Sequence, residues 1–411
     1  MGSSNIHDIV IVGGGIVGLA TALALHMKGL KSLVLEKSET LRAHGTTVGV
    51  HSNGWRAFGQ LGVADELRSK AGPILVTQEI LLAADRIRFT EHDPAGEQRC
   101  VKRSDIMKAF ADRLPVDTIR FNCRVVSIDK DQKTGNYALQ MNDGSVVVAK
   151  IVIGCEGWQS LVAETLGFKS AKVSPLVGLR ALTYYPEGHG YAKEFLRVRH
   201  NGYFIGRTPI DDNTISWFLA RKRLPSDSEI LYSPKGIVES TLEYVKGLPC
   251  EDIKGQAKRS ELADMIRNSD LDTAVYTIIR YRTPWEIFFG NFRSGTMTVA
   301  GDAMHVMGPF LQQGGSSGLE DAIALARNLA SELHQVRKED GELEWRRKAE
   351  IGIDNYLKER KPRLLKLSTQ SYLTGLMATI SFTHVQIAIY MLILLLFRHS
   401  FKHTEFDIGR L

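Results

Sequence analysis

Three glycines near the start of the chain, Gly13, Gly15 and Gly18, have the spacing G-x-G-x-x-G, and Glu36 follows 21 residues after Gly15. Glycines at this spacing permit a tight turn and let the backbone approach a pyrophosphate, whose charge meets the N-terminus of the next helix. A carboxylate at the end of the second strand accepts hydrogen bonds from ribose hydroxyls and disfavours a 2′-phosphate. The pattern therefore predicts a site for an adenine dinucleotide other than NADP.

A second glycine-rich turn comes almost three hundred residues later, where the predicted buried strand 296–300 ends on Gly301 and Asp302. Pro309 and the pair Gly314–Gly315 follow before a stretch rich in helix-forming residues. Two strand-to-helix turns so far apart imply a ligand long enough to touch both. FAD has that length, so the second motif selects FAD over NAD.

The elements that position these motifs follow from the pattern of apolar residues. Residues 9–12 are a wholly apolar run typical of a buried parallel strand, 16–28 are predicted to be a helix and 33–36 a second strand. Residues 119–153 and 176–221 have the alternation of strands. We therefore predict an α/β fold: a Rossmann-like FAD-binding domain with an inserted β-sheet substrate domain and a C-terminal helical segment.

The domain boundaries follow from these elements. The predicted FAD-binding domain is discontinuous and comprises residues 1–75, 98–172 and 275–365. The predicted substrate domain comprises residues 76–97 and 173–274. Residues 366–411 are predicted to form a C-terminal apolar helix and tail.

Composition excludes several classes of protein. The formal net charge is only +6 and no dense Lys/Arg run is interleaved with aromatic residues, so no nucleic-acid partner is expected. The four cysteines are scattered, without a CxxC pair or clustered histidines, so we expect neither disulfides nor a metal site but reduced thiols in the cytoplasm. The N-terminus lacks the basic and apolar regions of a signal peptide.

The motifs resemble those of the FAD-dependent aromatic-hydroxylase-type (class A) flavoprotein monooxygenases, which have a p-hydroxybenzoate-hydroxylase-like fold. The closest similarity is to plant members described as salicylate-hydroxylase-like or zeaxanthin-epoxidase-like. The family pattern GDAxHxxxP…GQG…EDAxxLA is matched from Gly301 through Ala322, with Gln312 where the family usually has glycine. Its intermediate strand ending in Asp-Gly has Glu156 in place of aspartate.

The resemblance implies which residues contact FAD. Asp302 is expected to bind the ribityl chain, and the backbone at Gly314–Gly315 to lie beside the flavin ring, where Gln312 would narrow the space. The full set of predicted cofactor-binding residues is Gly13, Gly15, Ile16, Val17, Gly18, Glu36, Lys37, Arg42, Arg103, Glu156, Gly301, Asp302, Pro309, Gly314 and Gly315. The family also shares the pattern Tyr356…Arg360…Arg363, for which a water-exposed helix face is the alternative.

The resemblance also implies a reaction. NADPH or NADH reduces FAD, O₂ forms a flavin C4a-hydroperoxide, and one oxygen atom enters an electron-rich aromatic or alkene substrate. Hydroxylation and epoxidation both stay open. For the substrate pocket we predict the aromatic and cationic residues of the strand-rich stretch 176–221, with core packing as the alternative for each: Arg180, Tyr184, Tyr203, Arg207 and Trp217. For His305 a structural role is favoured over that of a general base.

Other functions on the same fold compete with this one. They are a flavin-dependent reductase or dehydrogenase, and a non-catalytic FAD-fold binding protein. A flavin halogenase is disfavoured because the Trp-x-Trp-x-Ile-Pro signature is absent from the sequence.

Residues 373–397 form an apolar segment near the twenty residues that a membrane span needs, but polar residues interrupt it. A buried helix or a homodimer contact is the favoured interpretation. Attachment to a membrane surface comes second, and a true span third.

Overall fold

A computed structural model gives the structure of residues 6–41, 46–82, 87–92, 96–230, 232–249, 252–253, 257–380, 383–397 and 402–411. Within these ranges the strands, β1 to β19 in chain order, form two large and two small sheets, accompanied by helices α1 to α13.

The first large sheet carries the N-terminal motif. Its strands are β1 (Ile6–Val12), β2 (Leu33–Leu35), β7 (Ile119–Arg120), β8 (Val125–Lys130), β9 (Tyr137–Met141), β10 (Val146–Gly154), β18 (Arg293–Ser294) and β19 (Met297–Val299). The order is β18-β19-β10-β1-β2-β7, with β9 beside β10 and β8 beside β9. Because β1 runs parallel to β2 and β10, and β10 parallel to β19, both glycine motifs leave the sheet at the same edge.

The second large sheet is antiparallel apart from one pair. Its strands are β4 (Val76–Leu82), β5 (Ile87–His92), β11 (Lys172–Tyr184), β12 (Glu194–His200), β13 (Tyr203–Pro209), β14 (Thr214–Lys222) and β17 (Ser269–Tyr281), in the order β17-β11-β14-β13-β12-β4-β5. The small sheets pair β3 (Thr47–Val50) with β6 (Arg99–Lys102) and β15 (Asp252–Ile253) with β16 (Ala257–Lys258).

The helices cover both sheets. They are α1 (Ile16–Met27), α2 (Ser52–Gln60), α3 (Ala64–Lys70), α4 (Arg103–Ala111), α5 (Leu161–Thr165), α6 (Asp227–Ile230), α7 (Pro234–Lys246), α8 (Arg259–Arg267), α9 (Pro284–Phe289), α10 (Asp302–His305), α11 (Gly314–Leu333), α12 (Gly341–Thr379) and α13 (Thr383–Leu396).

The architecture confirms the predicted fold class. A parallel sheet begins with a βαβ unit, a separate β-sheet is inserted into the same chain, and helices end it. The main core forms where α1 and α11 pack over the buried run 9–12. The residue limits of the three predicted parts stay a proposal, and α12 runs without a break across the limit placed at residue 366.

The C-terminal apolar segment differs from the favoured expectation. It is divided between the end of α12 and α13, and α13 exposes most of its apolar side chains, so a helix buried within its own chain is wrong. Among the described residues, no helix combines the length and apolarity needed to cross a membrane.

The last ten residues contact α2 and α11 of the main domain. Arg56, Gln60 and Arg327 donate hydrogen bonds to backbone carbonyls of residues 405–410 at 2.6 to 3.0 Å. Ile408 is 4% exposed and belongs to the main core. The segment between α12 and the tail is therefore held at both ends.

His51, directly before α2, predicts a pH dependence of stability. Burial, and then the charge of His403, lower its pKa to about 4 from 6.5. The unfolded chain then binds more protons between these values, so stability is lost as pH falls through the window from 6.5 to 4. The loss should approach about 3 kcal/mol. Guanidinium unfolding from pH 7 to 4 should show a shallower pH dependence for His51→Gln.

His26→Gln is the matched control, because His26 is an exposed histidine at the end of α1. Equal pH profiles for wild type and His51→Gln would contradict the assignment of this loss to His51.

Candidate cofactor and substrate site

The first glycine turn connects β1 to α1. Gly13 has a φ of +102°, and a Cβ at this position would lie 2.7 Å from the carbonyl oxygen of Cys155 on the neighbouring strand end. Gly15 is the N-cap of α1 and supplies no side-chain hydrogen bond, so the first backbone N–H groups of the helix face the adjacent cleft. This is the geometry that binds a pyrophosphate.

Glu36 follows β2 on the same wall. It is 7% exposed, and its carboxylate accepts hydrogen bonds from the backbone N–H of Gly14 at 2.7 Å and of Ser38 at 2.9 Å. The carboxylate thus fixes the glycine turn and lines the cleft at the place where an adenosine ribose is predicted.

The second glycine motif forms the opposite wall. Gly301 has a φ of +63°, and Asp302 follows it as the first residue of α10, with its side chain exposed to the cleft. A Cβ built on Gly314 would lie 3.9 Å from Oδ1 of Asp302, so the start of α11 is directly beside this carboxylate.

Both walls enclose one cleft, whose empty space including the solvent at its mouth is about 1700 Å³. Most of the predicted cofactor residues line it: Gly13, Gly15, Ile16, Val17, Glu36, Lys37, Arg103, Glu156, Asp302, Gly314 and Gly315. Gly18 in the first turn of α1, Gly301 before α10 and Pro309 do not line it, and Arg42 lies outside the described residues. A long cleft with a helix N-terminus, the Glu36 carboxylate on one wall and the Asp302 carboxylate on the opposite wall fits FAD.

Arg103 and Glu156 lie between the two walls. Arg103 begins α4, and its Nη2 would be 3.8 Å from a Cβ on Gly15. The Glu156 carboxylate accepts from Ser160 Oγ at 2.6 Å and from the N–H of Val162 at 3.2 Å. Glu156 therefore both lines the cleft and holds the start of α5.

A buried ionic network supports the second motif. Asp321 on α11 accepts hydrogen bonds from the N–H of Gly301 at 2.9 Å and from Nε of Arg360 at 2.7 Å, and its Oδ2 is 2.5 Å from Nε2 of His305. Burial opposes ionisation of Asp321, but His305 and Arg360 outweigh it and lower its pKa. His305 thus belongs to a buried network, which fits the structural role favoured for it. Arg360 is buried as well, so the alternative of a water-exposed helix face is wrong for this residue.

A second branch of this network was not predicted. Asn53 on α2 donates from Nδ2 to Oε1 of Gln313 at 2.8 Å and to Oε1 of Glu320 at 2.7 Å. Glu320 also pairs with Arg360 and Arg363, which are likewise buried rather than on an exposed helix face. These contacts fix the turn that precedes Gly314.

Gln312, which departs from the family pattern, adopts a left-handed conformation with φ +52°. Its side chain lies against Gly49 on β3, where any Cβ would collide with it. The departure is therefore accommodated by a glycine on a neighbouring strand. No sequence signal connects these two positions.

The second sheet presents one face toward the cleft. Thr47 on β3 is 3.0 Å from Ser216, hydroxyl to hydroxyl, and Cys100 on β6 packs in a small apolar cluster against Phe218. Arg180 is opposite Phe218 in the β11–β14 ladder and so lies on the same face. Burial, and then the charge of Arg103, which lines the cleft, lower the pKa of Arg180.

Three predicted pocket residues lie on the opposite face. Tyr203 and Trp217 belong to an apolar core that includes residues of α7 and α8, and Arg207 is opposite Trp217 in the β13–β14 ladder. Arg207 donates to Oε1 of Glu194 at 2.6 Å. The predicted pocket role does not fit these three positions, because their side chains point away from the cleft.

Tyr184, the remaining pocket candidate, ends β11 and is 61% exposed. Ile279 and Tyr281 on β17 were not predicted, although they line an apolar pocket with Phe310 and Tyr372. Their strand falls outside the stretch 176–221, and only strand pairing brings it beside β11.

A Rossmann-like sheet with two glycine turns around one long cleft, beside a second β-sheet, defines an FAD-binding flavoprotein. The FAD binding domain family matches residues 7–349, and the chain belongs to this family. It is an FAD-dependent monooxygenase of the aromatic-hydroxylase type, as the resemblance of its motifs implied.

Two relatives from Arabidopsis thaliana support this membership. The chain is 41% identical to Monooxygenase 1 over 407 residues, which cover 98% of this chain and 99% of that protein. It is 37% identical to Monooxygenase 2 over 377 residues, covering 90% and 89%.

Solved structures share the fold. Klebsiella pneumoniae HpxO in complex with FAD and uric acid superposes with a TM-score of 0.76 and 18% sequence identity, covering 97% of this chain and 96% of that one.

Proposed function

We propose that the protein uses NADPH or NADH and O₂ to insert one oxygen atom into an electron-rich aromatic or alkene small molecule. The observation that carries this proposal is the meeting of both glycine motifs in one cleft beside the face of the second sheet that presents Arg180. When bound, FAD would supply the redox chemistry: it accepts a hydride from the nicotinamide and activates O₂ at its C4a carbon.

The chain's own residues would bind and orient the cofactor. The N-terminus of α1 would hold the pyrophosphate with Arg103 beside it, and Glu36 the adenosine ribose. Asp302 would hold the ribityl chain, and the start of α11 at Gly314 would flank the flavin ring. The second sheet, whose Ser216 contacts Thr47 on β3 beside the cleft, would restrict the access of water to this end.

Arg180 is the proposed anchor for the substrate. In the described part of the chain its Nε has no hydrogen-bond partner, and its Nη2 reaches only Oγ1 of Thr277 at 3.5 Å. A largely buried cation of this kind is stabilised by an anionic or strongly polar substrate group. The uric acid bound in the HpxO complex is an example of such a polar ligand, because it is flat and rich in oxygen atoms.

The proposed reaction predicts a yellow protein that oxidises NADPH or NADH faster when a substrate is present. Phenolic acids, urate-like purines and terpenoid alkenes are the compounds to screen, with parallel measurement of O₂ uptake. Under ¹⁸O₂, mass spectrometry should find one heavy oxygen atom in the product. A bound flavin that reduces or oxidises compounds without incorporating ¹⁸O would instead establish the reductase or dehydrogenase alternative, and a protein without flavin turnover the binding protein.

Replacing Arg180 by methionine should raise KM for an anionic substrate about 10- to 100-fold, because one charge-assisted hydrogen bond contributes about 1.5–3 kcal/mol. Steady-state NADPH oxidation measures the effect, and the flavin spectrum checks that FAD is still bound. Arg199→Met is the matched control, since Arg199 lies on β12, farther along the same sheet. An unchanged KM would exclude Arg180 as the anchor.

A further inference from the structure

The apolar helix α13 is uncovered on most of its surface. Residues 386, 389, 393 and 397 are half-buried, and their spacing marks the one stripe that faces α12. The other faces expose large apolar side chains, of which Leu395 is the most accessible at 73%: Val385, Ile387, Tyr390, Met391, Leu392, Leu394, Leu395 and Leu396. At 100° per residue these occupy roughly two thirds of the circumference.

This distribution decides which kind of partner can cover the helix. A second copy of the chain packing helix to helix would bury one stripe of α13 and leave the other apolar faces in water. A lipid phase surrounds all exposed faces at once. The 14 residues of α13 span about 21 Å, less than the hydrocarbon core of a bilayer at about 30 Å, which fits insertion into one leaflet.

The charges around α13 favour an anionic lipid surface. From residue 360 to residue 404 the sequence contains no aspartate or glutamate, and Arg398 and Lys402 follow the helix within six residues. Basic residues that flank an apolar helix are attracted to anionic headgroups.

A second exposed apolar group lies on the same side of the molecule. On α9, Trp285, Phe288 and Phe289 are 47%, 58% and 80% exposed. The Trp285 ring lies edge-on to that of Tyr372 on α12, with the centroids 5.5 Å apart, seven residues before this helix ends. Aromatic residues are enriched where proteins meet the headgroup region of a membrane.

An apolar pocket lies between these two groups. β17, the loop after α10 and α12 enclose about 460 Å³ of empty space, counting the solvent at its mouth. Tyr281, Phe310, Tyr372 and Leu376 are among the residues that line it, and Thr379 at the end of α12 borders it. Ile279 in this pocket is two residues along β17 from Thr277, the neighbour of Arg180.

We propose that α13 and the exposed aromatic residues of α9 insert into the surface of an anionic lipid membrane, and that the pocket between them receives the apolar body of a substrate dissolved there. The assignment of the pocket rests on the proposed monooxygenase function. The lipid contact does not, because it depends only on the exposed surface.

Co-sedimentation of the full-length protein with vesicles tests the lipid contact. Wild type should bind vesicles of phosphatidylcholine and phosphatidylserine, and bind vesicles of phosphatidylcholine alone more weakly, with a difference that salt reduces. The triple variant Ile387→Ser/Met391→Ser/Leu395→Ser should bind at least tenfold less. Its three positions are exposed, so circular dichroism should show an unchanged fold.

A control variant, Val116→Ser/Tyr232→Ser/Leu343→Ser, removes three even more exposed apolar side chains elsewhere and should bind like wild type. Leu395→Glu is the alternative if the triple variant does not fold. Wild type that sediments with neither vesicle, or equally with and without the α13 substitutions, would overturn the proposal. So would a wild-type dimer that the α13 variant converts to a monomer, since a second copy would then cover the helix. Vesicle binding without NADPH oxidation would contradict the proposed function alone.

Discussion

Replacing Glu36 by alanine is expected to weaken FAD binding at least 100-fold. In the proposed pose the carboxylate accepts hydrogen bonds from the ribose hydroxyls, and hydrogen bonds to a charged group contribute about 1.5–3 kcal/mol each. Two such bonds therefore contribute about 3–6 kcal/mol to binding. Each 1.4 kcal/mol changes the dissociation constant about tenfold, so their loss raises it at least about 100-fold. The substitution also removes the acceptor for the N–H of Gly14, which fixes the turn under the pyrophosphate.

Titration of flavin-free protein with FAD, followed by flavin fluorescence, measures this loss directly. Glu39→Ala is the matched control, because Glu39 is an exposed glutamate three residues farther along that does not line the cleft. If Glu36→Ala bound FAD with near-wild-type affinity, Glu36 would not bind the ribose, and this result would contradict the proposed cofactor pose.

Replacing Arg360 by methionine is expected to lower the free energy of unfolding by about 3–5 kcal/mol, the usual cost of removing one partner from a buried ion pair. Arg360 is fully buried and contacts Glu320 at 2.8 Å and Asp321 at 2.7 Å. Burial opposes its charge, but the two carboxylates outweigh this effect and raise its pKa. Without the guanidinium, both carboxylates are buried beside an apolar side chain.

Denaturant unfolding of wild type and variant measures the stability difference. Arg347→Met on the same helix is the control: Arg347 pairs with Glu344 at the surface, where solvent screens the pair and its loss should change stability little. Because Asp321 also accepts from the N–H of Gly301, the Arg360 variant should retain less FAD after purification. Equal midpoints for Arg360→Met and Arg347→Met would show that the network does not stabilise the fold.

The cofactor motifs were predictable because their geometry is local. Gly13, the helix that starts at Ile16 and Glu36 lie within one βαβ unit, so their spacing alone fixes the turn and the acid. The second motif is local as well, because Gly301 and Asp302 are consecutive residues at the end of one strand. The α/β class and the FAD-binding family follow from these two segments.

The faces of the second sheet were not predictable from the strands alone. Alternation along β13 and β14 separates two faces, but both carry aromatic and cationic residues. Packing of α7 and α8 made one face a core that contains Trp217, and β3 placed the other toward the cleft beside Arg180. The strand pattern therefore could not separate Arg180 from Tyr203, Arg207 and Trp217, because the elements that cover each face decide which side chains point toward the cleft.

The sequence by itself determined the cofactor, the fold class and the family, because short-range spacing specifies a dinucleotide turn. Only the tertiary structure decided which charges are buried: Arg360 has the pattern of a solvated helix face until Glu320 and Asp321, some forty residues earlier, are packed against it. It also decided that α13 is exposed. Apolar composition shows that a helix avoids water, whereas the elements packed around it determine whether the chain itself provides the cover.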